Sequence, residues 1–217
     1  MRRFAAGVAA ALSLAACGPP PAPAPAPSTT EAAGPIDPSR IDRARYELPP
    51  DYEVADVRGR VAPLAQWGYG PDWSANPPQC GALADPPSDP QTVRGWSASG
   101  AGGIVYAVAA AGATPPDPGL PGECGEWMMT AGPTTGTVRL VEPPPVRGVD
   151  VIGMVADTVT VVEGGTETRS HAQTFVAREG QSLVYVTVVT DPGSPHPPLD
   201  ADFAADLLTR TVAALRS

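Results

Sequence analysis

The chain contains no lysine. All of its 14 cationic side chains are arginine, set against 23 carboxylates, and the formal net charge is −9. Nucleic-acid binding needs a basic patch to meet the phosphates, so this charge balance argues against it. It also argues against electrostatic docking on anionic lipid. Histidine is nearly absent, with only His171 and His196, far apart in the sequence. Cysteine occurs three times and never as Cys-x-x-Cys, so zinc-type ligand spacing is missing. Aromatic residues make up 6% of the chain. No apolar run approaches the roughly 20 residues that a membrane-spanning helix requires.

What is present begins at the front. Met1-Arg2-Arg3 precedes about a dozen small apolar residues and then Leu14-Ala15-Ala16-Cys17-Gly18. A short positive region, an apolar core and a small-residue cleavage site predict a secretory leader over residues 1–16. Leu-Ala-Ala-Cys has the lipobox pattern, in which the cysteine thiol is acylated and the chain is cut before it. Cys17 is therefore the expected lipidation site, and the mature protein is expected to be exported and held on the outer face of the cell membrane. Losing Arg2 and Arg3 with the leader takes the net charge from −9 to −11, which favours a neutral or cationic ligand. Residues 17–39 read as the lipidated cysteine and a Pro/Ala-rich tether, since alternating proline and alanine favours the extended polyproline II conformation. Residues 40–217 are one domain in size.

Cys80 and Cys124 remain, an even pair in an oxidising compartment, and a disulfide between them is expected. Residues 39–45 suggest a short helix capped by Ser39. Residues 52–57 alternate as an edge strand does, and residues 80–84 suggest a short helix. Residues 93–99, 102–109 and 137–141 read as strands, while residues 122–129 around Cys124 and Trp127 suggest a helix. Residues 151–162, 166–177 and 182–190 are rich in valine and threonine and are separated by Glu163-Gly164-Gly165-Thr166 and Arg178-Glu179-Gly180-Gln181. That is the pattern of an antiparallel meander. Val184, Val186 and Val188 form a wholly apolar strand face that needs a cover. A helix over residues 200–215 provides one, with Phe203, Leu207, Leu208, Val212 and Leu215 at helical spacing and Asp200 or Asp202 as its cap. The fold class is α+β: an antiparallel sheet packed with helices, one of them C-terminal and amphipathic.

No catalytic constellation emerges, and the domain reads as non-enzymatic with no cofactor and no metal. Gly95-Trp96-Ser97-Ala98-Ser99-Gly100 lacks the fifth-position glycine of a hydrolase elbow, and Ser99-Gly100-Ala101-Gly102-Gly103 lacks the Lys-Ser/Thr ending of a phosphate loop. Ser170 and His171 are adjacent in a strand, so their side chains point to opposite faces. Asp200, Asp202 and Asp206 are spaced for an exposed helix start. Trp67, Trp73 and Trp96 are the candidates for an aromatic-lined ligand groove, with core packing the alternative reading, above all for Trp96 and Trp127.

Four stretches carry a family resemblance: Pro77-Pro78-Gln79-Cys80-Gly81-Ala82-Leu83, Gly102-Gly103-Ile104-Val105-Tyr106, Val162-Glu163-Gly164-Gly165-Thr166-Glu167-Thr168, and Thr190-Asp191-Pro192-Gly193. With the lipobox and tether, the chain resembles a mycobacterial lipoprotein family carrying a domain of unknown function. Its order of elements is more distantly similar to the extracellular sensor domain of the PknH receptor kinase. That resemblance implies an antiparallel sheet with packed helices and a ligand cleft, and brings no catalytic residues. The expected function is a membrane-anchored lipoprotein binding an envelope ligand or partner. Carriage of an apolar lipid and a serine hydrolase built on Ser97 or Ser99 are the alternatives.

Overall fold

The computed structural model describes residues 34–59 and 61–217. The leader, Cys17 and the Pro/Ala stretch through residue 33 lie outside the described residues. The described residues belong to one compact unit with an α+β fold. Nine antiparallel strands form one sheet in the order β1-β3-β4-β9-β8-β7-β6-β5-β2. These are β1 (Glu53–Arg58), β2 (Ser74–Asn76), β3 (Arg94–Gly100), β4 (Gly103–Ala110), β5 (Glu126–Ala131), β6 (Thr134–Val141), β7 (Asp150–Val161), β8 (Glu167–Glu179) and β9 (Ser182–Thr190). Among the described residues the helices are two 3-10 helices over Pro38–Glu47 and Pro78–Cys80, three four-residue helices α1 (Pro63–Gln66), α2 (Gly81–Ala84) and α3 (Leu120–Glu123), and the long α4 (Ala201–Arg216).

The Val/Thr-rich meander forms as its alternation dictates. Side chains in a strand alternate between faces, so β9 divides its residues between two cores. Val184, Val186 and Val188 pack with Leu207, Leu208, Val212 and Leu215 of α4. Leu183 and Tyr185 join the opposite core with Trp67, Trp127 and Met154. Asp200 caps α4, its Oδ1 accepting from the Phe203 backbone N–H at 2.8 Å. Arg216, in the last turn of α4, donates to Glu179 Oε1 at 2.7 Å, where a cation also complements the helix dipole.

Three expectations change. The 3-10 helix is capped by Asp37, whose carboxylate accepts from Ser39 N at 3.0 Å, so Ser39 is inside the helix and not its cap. Residues 122–129 are not a helix. The helical turn α3 ends at Glu123, and Glu126–Ala131 instead pairs as a strand with Thr134–Val141, placing Trp127 opposite Val138. The packed part also begins before residue 40: Ile36 is buried, and Asp37 N donates to the Leu215 carbonyl at 3.1 Å. The edge strand over residues 52–57 is present as β1, paired only with β3.

Candidate functional site

The face opposite α4 is covered by chain lacking long helices. Residues 61–85 cross it through α1, β2 and α2, and the Cys80–Cys124 disulfide ties them to the segment before β5, with a Cα–Cα distance of 5.5 Å. Both cysteines are fully buried. The disulfide expected from the sequence is therefore part of the structure.

The three groove candidates do not meet. Trp67 is 1% exposed, and its indole N–H donates to Thr174 Oγ1 at 3.0 Å. Trp96 is fully buried in the α4-side core, donating to the Ile41 carbonyl at 3.2 Å. These two belong to separate cores on opposite faces of the sheet, and packing, not a groove, is their role. Trp127 is buried as expected, though its indole nitrogen has no hydrogen-bond partner. Trp73 alone is half-buried. It lines a cavity of about 300 Å³ together with Leu64, Tyr69, Pro71 and Asp85.

Two glycines make room for these aromatics. A Cβ on Gly81 would overlap the Trp73 ring, so the α2 backbone can lie directly against the indole only because position 81 lacks a side chain. A Cβ on Gly136 would overlap the Tyr69 hydroxyl and the Asp157 carbonyl, so Tyr69 reaches β6 for the same reason. Tyr69 is 3% exposed, and its Oη has no hydrogen-bond partner. Sequence reasoning passed over Tyr69. The signal was the spacing of three aromatics, Trp67, Tyr69 and Trp73, in one strap, but only the path of residues 61–85 shows which of them face the cavity.

Burial pushes the Tyr69 hydroxyl up to about 12. The wholly buried Tyr185 is raised further by burial, with the Gln66 hydrogen bond only partly opposing the shift. These two groups keep their protons in the fold at pH values where an unfolded tyrosine, near 10, loses its own. Folded values above unfolded ones mean a contribution that is intact below pH about 10 and lost as pH rises through 12. The urea midpoint is expected to hold between pH about 8 and about 9.5 and to fall steeply by pH about 11.5. A midpoint unchanged at the higher pH would show that these hydroxyls are not protected by burial.

The remaining candidates stand apart from this cavity. His171 on β8 faces Asp157 on β7, with Nδ1 to Oδ1 at 2.7 Å, and Arg139 donates to the other carboxylate oxygen at 2.9 Å. Burial alone would raise the Asp157 carboxyl; the hydrogen bonds from His171 and Arg139 outweigh it and hold the carboxyl below the usual range. Ser170 instead meets Thr158 at 2.7 Å, in keeping with the opposite faces expected for Ser170 and His171. Ser97 and Ser99 lie in strand β3. Ser99 and His196 line a cavity of about 430 Å³ at one end of the sheet, without a hydrogen bond between their side chains among the described residues. Among the described residues no cluster of three or more His, Cys, Asp or Glu is arranged to hold a metal, and no helix is long and apolar enough to cross a membrane.

Comparison with known proteins agrees with this architecture. A solved structure of an uncharacterized protein from Mycobacterium smegmatis, an Rv0999 ortholog, superposes with a TM-score of 0.62 at 19% identity, covering 86% of this chain and 100% of that one. At that identity the likeness speaks for the fold alone. No curated protein matches the chain. The model of a domain of unknown function, DUF5642, matches residues 37–216, nearly the whole compact unit, and the chain belongs to that family.

Proposed function

We propose that this chain is an exported lipoprotein, anchored through Cys17 to the outer face of the cell membrane, whose domain binds an envelope ligand without chemically converting it. The observation that carries the binding reading is the cavity of about 300 Å³ lined by the half-buried Trp73 together with Leu64, Tyr69, Pro71 and Asp85. Aromatic walls with a few placed polar groups are the usual make-up of a small-molecule site. The anchoring reading rests on the leader and the lipobox, and a disulfide suits an oxidising compartment.

The alternative of apolar-lipid carriage asks for a cavity between sheet and helix. That space is filled: Val184, Val186, Val188, Leu207, Leu208, Val212 and Leu215 meet there, each no more than 2% exposed. A serine hydrolase built on Ser97 or Ser99 would need a base aimed at the hydroxyl, and neither serine hydrogen-bonds a histidine among the described residues. The resemblance to the PknH sensor domain is consistent with a receptor-like role.

Cell fractionation tests the anchor. In a host that processes lipoproteins, the wild-type chain is expected in the membrane fraction with the added mass of its acyl groups. Cys17→Ala is expected to leave the domain soluble or retain the uncleaved leader. A wild-type chain recovered without acyl mass and free of the membrane would contradict the anchoring.

A further inference from the structure

We draw no further inference here: the strongest candidate, the cavity of about 430 Å³ at the end of the sheet where Ile104 of β4 and Val189 of β9 meet residues 191–198, carries nothing because Arg169, Ser170 and Asp191 on its walls are already bonded within the chain and nothing in the structure shows what covers its apolar floor.

Discussion

Trp96→Ala is expected to destabilise the fold by about 3–5 kcal/mol, the usual cost of emptying a fully buried large aromatic site. Trp96 is 0% exposed, sits in the core beneath α4, and donates its indole N–H to the Ile41 carbonyl of the 3-10 helix. Truncation therefore leaves a cavity and also removes the indole hydrogen bond to the Ile41 carbonyl, and both act in the same direction. The 3-10 helix loses its hydrogen bond to β3, so amide protons around Ile41 and Ala44 should exchange faster than those of β7 and β8. Urea unfolding of wild type and variant gives the number. A loss below 1 kcal/mol would mean that Trp96 is not the core residue its burial indicates. The partly exposed ring of Trp73 makes Trp73→Ala the milder substitution for stability and the more severe one for binding.

Removing the disulfide is expected to cost about as much. Cys80 and Cys124 are 44 residues apart, and closing a loop of that size is worth roughly 4 kcal/mol in the chain-entropy picture. Native packing adds to the effect in this protein. The face opposite α4 is covered by α1, α2 and α3, each four residues long, and helices so short have little stability of their own. Their order comes from the packed residues around Cys80, Leu83, Leu120 and Cys124 and from the covalent bond itself. Paired Cys80→Ala and Cys124→Ala substitution is thus expected to lower the urea midpoint strongly and to loosen residues 73–85 first. Near-ultraviolet circular dichroism follows the second effect through the Trp73 environment. A double variant with an unchanged midpoint would show that packing alone holds the strap.

The meander and the C-terminal helix were legible in the sequence because local and long-range signals agree there. Alternating valines and threonines between glycine-bearing turns permit only one set of strand faces, and the apolar face containing Val184, Val186 and Val188 demands the stripe found on α4. The disulfide was legible from cysteine number and compartment. Glu126–Ala131 was not. Its Glu-Trp-Met-Met run is compatible with a helix, and only pairing with Thr134–Val141 across a tight turn makes it a strand. Strand propensity is decided largely by such partners. The cap at Asp37 was missed because the packed unit starts before the proline-rich composition ends. The pairing of His171 with Asp157 depends on the β7–β8 register, which no local pattern in either strand announces.

The site was legible only in its parts. Composition drew attention to the tryptophans, but equal residues have unequal fates: Trp67 and Trp96 face two different cores, while Trp73 stays at the surface of one. The deciding features are Gly81 and Gly136, whose missing side chains admit Trp73 and Tyr69. In the sequence these glycines look like any others, because the rings they accommodate come from elsewhere in the chain.

The claim that the domain binds at the Trp73 cavity is tested most directly by native mass spectrometry on wild-type and Trp73→Ala protein, each incubated with the same envelope extract. The account predicts a defined added mass on the wild type that is absent or strongly reduced on the variant, with both proteins folded by circular dichroism. The same adduct at equal occupancy on both would place binding elsewhere and contradict it.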